Sequence, residues 1–443
     1  MELDRDEAGK SARRKAAIRL LPFVFLLYVV CYVDRVNVSF ANLRMSADLG
    51  FTDRIFGLGA GIFFVGYVLF EVPGALIVER WSARKWMTRI MISWGAVTIG
   101  TGFIHTANQF YVARLLLGAA EAGFFPGMIV YLTHWFVAPD RAKAIGSLYA
   151  GLPAASVVGS LMAGWLLSLH WLGMTGWRWL FIVEGIPPVV LGVITFFYLT
   201  DRPREAKWLT ESEREWLQEE LAAEAAAKKK TRDYTIWQAF RDKKVWMLIL
   251  PYFLAVVGAQ ASIYWIPTFI RRLTGLPSAK VALIAAIPGL VGIAGMLWNG
   301  WHSDKTGERR WHSAVPLLCA ASAYLLLANT HNTVAAMTLL VLGGGIFYSY
   351  YPVYWSMPTL LLSESAAAAS FGLINSIGHT GGFFGPTVVG YLNDRTGKAT
   401  AAFWLIGICY LLAGGLLSRM RVQNPQLTVA TELPARSGLA TEG

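Results

Sequence analysis

Four ionisable residues stand out inside apolar runs of this chain: Asp34 and Arg35 adjacent in the first run, and Arg114 and Glu121 in the fourth. An ionisable side chain at the centre of a membrane helix costs roughly 2.5–3.5 kcal/mol, so one that persists there marks a working site. The seven-residue spacing of Arg114 and Glu121 is nearly two helical turns, about 10.5 Å, which puts both on one side of their helix. The two residue types suit two tasks. A guanidinium holds a carboxylate through two parallel hydrogen bonds, the chemistry of an anion receptor. A carboxyl poised between desolvation and a neighbouring arginine changes protonation when an anion arrives, the chemistry of a proton carrier. Asp34 and Glu121 are therefore the candidate proton-coupling acids, and Arg35 and Arg114 the candidate substrate-binding bases. The four are expected to neutralise one another in a dry cavity. The competing reading is a static ion-pair network that only holds the helices together.

Weaker signals surround them. Asn375 and His379 are four apart on the eleventh run, hence on one face, with Gly378, Gly381, Gly382 and Gly385 beside them to allow close helix approach. Tyr67 and Tyr264 are placed to line a cavity, so these four join the expected substrate-binding set. Against that, Tyr favours membrane interfaces, and Asn375 and His379 equally suit hydrogen bonds between helices. Glu71, before Val72-Pro73, and Glu184, before Gly185, serve equally well as ligands of inter-helix donors.

The elements that carry these residues are membrane helices. Of the residues, 55 % are hydrophobic and only 15 % charged, against roughly 25 % charged in a soluble domain. Apolar runs of spanning length follow one another near 19–41, 56–78, 87–105, 110–136, 144–167, 179–199, 245–270, 281–302, 313–330, 334–362, 371–392 and 400–418. The expected fold is all-α: twelve transmembrane helices in two pseudo-symmetric six-helix bundles. The expected division is 1–199 for the first bundle, 200–244 for a cytoplasmic linker with an amphipathic helix, 245–420 for the second bundle and 421–443 for a disordered tail. Basic residues crowd the ends on one side, leaving only Arg44, Arg54, Arg178, Arg271, Arg272, Lys280, Arg395 and Lys398 in loops on the other. That asymmetry places both termini in the cytoplasm of a multi-pass plasma-membrane protein. It accounts for the net charge of +11 without nucleic acid, for which no soluble module is present.

Cys31, Cys319 and Cys409 all fall in apolar runs and are expected to be packing residues, with no metal spacing. In the linker, Thr210-Glu211-Ser212-Glu213 offers a capping box. The helix it opens runs through Trp216 and Leu217, and these with Trp208 and Leu209 just before it are expected to lie against the bilayer surface or the inner face of the bundles. No nucleophile–base pair or metal cluster supports an enzyme, and no cofactor is expected.

The two halves repeat each other. Glu79-Arg80-Trp81-Ser82-Ala83-Arg84-Lys85-Trp86 returns as Asp304-Lys305-Thr306-Gly307-Glu308-Arg309-Arg310-Trp311, 225 residues later (79 to 304). Gly146, Gly159 and Gly164 return as Gly372, Gly385 and Gly390, 226 later (146 to 372). Parallel repeats of this kind build one large class of secondary transporters. The charged members of the two loops, Glu79, Arg80, Arg84, Lys85, Asp304, Lys305, Arg309 and Arg310, are the expected gating residues. They also serve as topology signals.

Three segments carry a more specific resemblance: Tyr32-Val33-Asp34-Arg35-Val36-Asn37, Gly66-Tyr67-Val68-Leu69-Phe70-Glu71-Val72-Pro73, and Arg114 through Glu121 to Pro126. With Asp201-Arg202-Pro203 running on to Trp208-Leu209-Thr210, they resemble the anion:cation symporter family of the major facilitator superfamily, in its bacterial tartrate/phthalate-type branch. The resemblance covers nearly the whole chain and implies proton-coupled uptake of a small organic anion by rocking of two six-helix halves. It implies coupling roles for Asp34 and Glu121, essential arginines at Arg35 and Arg114, and a substrate contact at Asn375. The expected partners are the anion, protons and the lipid bilayer, and the expected unit is a monomer. Ser82 departs from the glycine usual in the first gating loop, His379 from the Asn of the tartrate-like branch, and Ala60 from the His of the vesicular glutamate relatives. The alternatives are an exporter or antiporter of the same fold and a membrane-embedded enzyme. Gly151-Leu152-Pro153-Ala154-Ala155 lacks the Gly-Pro-x-x-Gly-Gly pattern of drug/proton antiporters.

Overall fold

The computed structural model describes residues 2–229, 235–362 and 364–420. The tail from 421 and the side chains of Glu79 and Arg80 lie outside the described residues. Among them there is no strand, and each of the twelve apolar runs is a helical rod.

In the first half the rods are Glu2–Leu49, Asp53–Arg80, Ala83–Thr101, then Ala107–Glu121 continued by Phe124–Thr133, Ala138–Tyr149 continued by Gly151–Leu166, and Gly176–Tyr198. In the second half they are Lys243–Thr274, then Ser278–Ile284 continued by Ile287–Thr306, Arg310–Leu327, a broken rod from Thr333 to Leu361, Glu364–Thr396 and Thr400–Leu417. Nine helices among the described residues are long and apolar enough to cross a membrane by length and composition. The third, ninth and eleventh rods fall outside that group but are long enough to span. Large apolar side chains such as Leu69, Phe70, Phe197, Leu297 and Trp298 are exposed around the outside, where a bilayer replaces water as solvent.

The repeat seen in the sequence is a repeat of packing. Within the first half the first rod lies on the fifth, the second on the fourth and the third on the sixth; within the second the seventh lies on the eleventh, the eighth on the tenth and the ninth on the twelfth. Two of the three glycine pairs occupy matching crossings, while Gly146 and Gly372 both face open space. Gly159 faces Val33 and Val36 of the first rod, as Gly385 faces Val257 and Ala261 of the seventh. Gly164 faces the eighth rod at Ala279 and Leu283, and Gly390 faces the second at Asp53 and Gly57. These last two crossings join the halves. A Cβ on Gly390 would lie 2.5 Å from the Asp53 carbonyl oxygen, so only glycine permits that approach.

Helix ends follow local chemistry. Thr52, Thr106 and Asn332 cap their helices through side-chain oxygens, satisfying donors that the helix leaves open. The fourth rod breaks immediately after Glu121, where Gly123 takes φ +81°, a left-handed value that a side chain resists. Glu121 thus sits on the last turn before a bend.

The first rod, 48 residues long, exceeds what a membrane crossing needs, and the linker helix Glu211–Lys229 packs along it. The expected capping box is present: Thr210 N donates to Glu213 and Glu213 N to Thr210 Oγ1. The aromatic stripe faces the first half rather than lipid. Trp208 stacks on Trp135 with ring centroids 5.2 Å apart, and Leu209 and Leu217 are buried. Ionic contacts complete a clamp: Lys15 and Ser11 donate to Glu213, Arg5 to Glu219, Arg13 to Asp140, and Arg141 to Glu224. Burial pushes the Glu213 carboxyl up, but hydrogen bonds from Lys15, Ser11 and the Thr210 backbone outweigh it and hold the group at about 2, against an ordinary 4.5. A carboxyl depressed in the folded state stabilises it above the ordinary value, and that contribution is lost as pH falls through the folded one. The clamp is therefore expected to hold fully above pH 4.5 and to loosen progressively toward pH 2. Hydrogen exchange in residues 5–19 should speed up over that window, and Glu213→Gln should speed it up at neutral pH.

Candidate functional site

The charged cluster sits where the two halves meet. Arg35, Arg114 and Glu121 are 4 %, 0 % and 1 % exposed. Arg35 donates to Glu121 Oε1 from its Nη2 and to Tyr32 from its Nη1 at 3.2 Å. Cys31, one turn before Arg35, donates its thiol to the same Glu121 oxygen at 2.9 Å. It is therefore part of the site, and the expectation of a mere packing residue is corrected. Its i, i+4 relation to Arg35 was the signal available in the sequence. Cys319 is exposed and Cys409 buried.

Aromatic rings wall in the cations. The Arg35 guanidinium carbon lies 4.6 Å from the Tyr32 ring centroid, 5.0 Å from Tyr67 and 5.2 Å from Phe63. The Arg114 guanidinium lies 4.9 Å from the same Phe63 ring, so one phenylalanine separates the two bases. Ring faces attract cations and supply no competing acceptor. Arg114 differs from Arg35 in forming no ion pair among the described residues. Its Nη2 reaches Tyr264 Oη of the second half at 3.4 Å, and its Nε and Nη1 are buried without a hydrogen-bond partner.

Asp34 does not join this cluster. Successive helical residues point about 100° apart, so Asp34 turns into the first bundle while Arg35 turns to the interface. Asp34 accepts from Asn37 at 2.8 Å and from Thr98 of the third rod at 2.7 Å. The expected mutual neutralisation of two acids and two bases is thus corrected. One pair forms, one base is unpaired, and one acid is held by neutral donors.

The remaining expected residues form a second layer toward the N-terminal face. Asn375 donates to Glu71 Oε1 at 2.6 Å and Ser376 to Glu71 Oε2 at 3.2 Å, tying the eleventh rod to the second. His379 packs edge-on between Tyr67 and Tyr252, with centroids 5.7 and 6.2 Å away. Tyr67 therefore touches both Arg35 and His379.

Contacts between the halves close the site from both ends. On the far face Arg272 pairs with Asp53, Arg271 donates to the Leu43 carbonyl, and Asn42 donates to Thr268 at 3.1 Å. On the N-terminal face Tyr149 of the first half stacks on Tyr351 and Trp355 of the second, at 6.3 and 6.4 Å. Of this aromatic plug only Tyr351 is a cavity-lining candidate by sequence; its stacking on Tyr149 joins residues that no local pattern links.

The two basic loops lie beyond that plug, each bound within its own half. Ser82 Oγ and the Arg84 backbone N–H both donate to Asp201, with the Arg84 side chain 3.8 Å away. Lys85 lies over Trp81. Arg309 pairs with Asp304 at 2.7 Å and donates to Ser303 Oγ at 2.8 Å. Lys305 lies over Trp301 and Arg310 over Trp311. Asp201 fixes the first loop and was not among the expected gating residues, although it opens one of the segments that carry the resemblance.

Comparison with known proteins matches this geometry to a family. Residues 24–386 fit the model described as Major Facilitator Superfamily. The chain is 45 % identical over 395 residues to a protein of Agrobacterium vitis named "Putative tartrate transporter", covering 89 % of this chain and 90 % of that one. It is 36 % identical over 403 residues to one of Acinetobacter baumannii named "Quinolone resistance transporter", covering 91 % and 93 %. Among solved structures, a D-xylose-proton symporter superposes with a TM-score of 0.73 at 14 % identity, covering 92 % of this chain and 98 % of that one, a likeness of fold.

Proposed function

The chain belongs to the major facilitator superfamily, and from that premise we propose that it carries a small organic anion together with protons across the inner membrane, both termini facing the cytoplasm. It is an integral membrane protein and a secondary transporter, not an enzyme. The observation that carries the anion reading is Arg114: a buried guanidinium at the interface of the halves, with two nitrogens that no protein group satisfies. A buried cation without a counter-ion is strongly disfavoured, and a carboxylate offers the geometry that satisfies it.

The scheme follows from the one pair that forms. Glu121 holds Arg35, and Cys31 donates to the same oxygen. A proton on Glu121 removes the charge that holds Arg35 and frees its guanidinium to join Arg114 on the incoming carboxylate. Release of the anion on the inside, with loss of the proton, returns Arg35 to Glu121. Tyr264 hydrogen-bonds Arg114 from the opposite half, and Tyr67 and His379 lie one contact further on, so anion binding draws on both halves at once. A solute that binds the closed arrangement better than the open ones drives closure by that difference alone. The acid proposed to couple most directly is Glu121, with Asp34 acting from within the bundle.

The basic loops are proposed to gate the N-terminal face, exchanging the partners they hold here as the halves rock. Breaking the Asp304–Arg309 pair by Asp304→Asn is expected to slow interconversion several-fold while leaving affinity nearly unchanged. Time-resolved distance measurements between labels on the two halves, set beside equilibrium binding, check this. A large loss of affinity at an unchanged rate would count against gating.

A screen of the purified protein for thermal stabilisation tests the anion reading. Hydroxy-dicarboxylates such as tartrate, aldonates, hexuronates and aromatic acids are set against cationic dyes. A bound solute at a hundredfold excess over its dissociation constant adds about 2.7 kcal/mol. Stabilisation by organic acids alone is expected. The export reading is favoured by the Acinetobacter baumannii relative, and stabilisation by cationic dyes alone would support it instead.

A further inference from the structure

We propose that Glu184 is a second proton-binding carboxyl of this transporter, held inside the first six-helix bundle beside Asp34 and apart from the anion site. The proposal rests on the transport reading above, yet it stands on different atoms. Glu184 lies on the sixth rod and is 2 % exposed, and neither of its carboxylate oxygens has a hydrogen-bond partner. Its neighbour Gly185 packs so closely on the third rod that a Cβ there would meet Ile99 at 2.7 Å. That tight crossing leaves the carboxyl in the bundle interior rather than in lipid.

The side chain beside Glu184 is Asn37. Its amide nitrogen is committed to Asp34 at 2.8 Å, while its amide oxygen is buried without a donor. Glu184 is thus buried in the bundle interior with only an amide and a second carboxyl for neighbours. A proton on Glu184 removes a charge that no cation pairs among the described residues, and the neutral acid then needs far less from its surroundings. Asp34 has the opposite environment. It accepts from both Asn37 and Thr98, as an ionised carboxylate does. Two ionised carboxylates on either side of one amide, away from water, would repel each other. The arrangement on the page fits one proton across the pair, residing on Glu184.

The charged groups on the surrounding rods do not remove the need for that proton. On the first rod Arg35 is turned to Glu121. On the fourth, Glu121 is held by Arg35, and Arg114 lies against Phe63 and Tyr264. The third rod contributes the neutral Thr98. Asp34 and Arg35 are adjacent on one helix, so a change in the Arg35–Glu121 pair alters the field at Asp34 and, through Asn37, the proton on Glu184. The bundle thereby stores a proton that responds to the anion site without touching the anion.

Infrared difference spectra of the unmodified full-length protein, recorded without added solute while pH is stepped from acid to alkaline and back, test this. The expected result is a reversible protonated-carboxyl C=O band that is lost in Glu184→Gln and shifted in frequency in Asn37→Leu, which removes the neighbouring amide. Glu184→Asp keeps a carboxyl, so the band should persist, displaced, should the glutamine variant fail to fold. A wild-type spectrum without a titrating carboxyl band, or a band unaltered by Glu184→Gln, would overturn the proposal. No solute is transported in this measurement, so its outcome is separate from that of the anion reading.

Discussion

Arg114→Ala is expected to abolish binding of the transported anion while leaving the fold at least as stable as before. The two halves of that result come from the same fact. Among the described residues no acid forms an ion pair with Arg114, and two of its nitrogens are buried without acceptors, so removing it breaks no ion pair inside the protein. Its whole value lies in the bound state. Hydrogen bonds to charged groups contribute about 1.5–3 kcal/mol each, and every 1.4 kcal/mol is about tenfold in affinity. Losing a two-pronged contact should thus weaken binding by roughly a hundredfold or more. Arg114→Lys keeps the charge but not the planar fork and should recover only part of the affinity. Arg35→Ala should behave differently. It leaves Glu121 buried without its cation, a loss on the order of 3–5 kcal/mol, and should lower thermal stability as well as binding. Calorimetric titration of the best stabilising acid, with melting curves of both variants, checks the contrast. Equal destabilisation by the two alanines would show that Arg114 has a structural partner after all.

Glu121→Gln is expected to separate binding from coupling. The glutamine keeps size and hydrogen-bonding capacity but carries no removable proton. Arg35, no longer held by a charge at any pH, remains available to the anion. Counterflow exchange, which needs binding and rocking but no net proton movement, should survive. Accumulation driven by a pH gradient should fall to the equilibrium level. Cys31→Ala removes a donor to the same oxygen and should shift the pH dependence of uptake without abolishing it.

The sequence shows the fold clearly because a membrane helix is a local object. Spanning length, apolar composition and the sidedness of Lys and Arg are each written in one stretch of chain. The repeat is legible for the same reason, and its paired glycines mark where rods cross. The site is legible by residue type, since charge inside an apolar run is conspicuous. Its pairing is not. Adjacent residues such as Asp34 and Arg35 point into different environments, and which one meets Glu121 depends on how three rods are rotated against one another. Phe63, which separates the two arginines, reads in sequence as one apolar residue among many. Tyr149 is far in the chain from Tyr351 and Trp355, and the three form a plug only once the halves close. Asn375 and Ser376 find Glu71 across some three hundred residues, a contact that no local pattern encodes.

Coupling of anion and proton movement is the claim on which the rest depends. Its most direct measurement is simultaneous uptake of a labelled organic acid and entry of protons in proteoliposomes holding the purified protein, with an acid exterior and a neutral lumen. The account predicts accumulation of the acid above its external concentration, matched by acidification of the lumen, with both abolished by a protonophore. Accumulation that ignores the pH gradient, or acid entry with no accompanying protons, would contradict it.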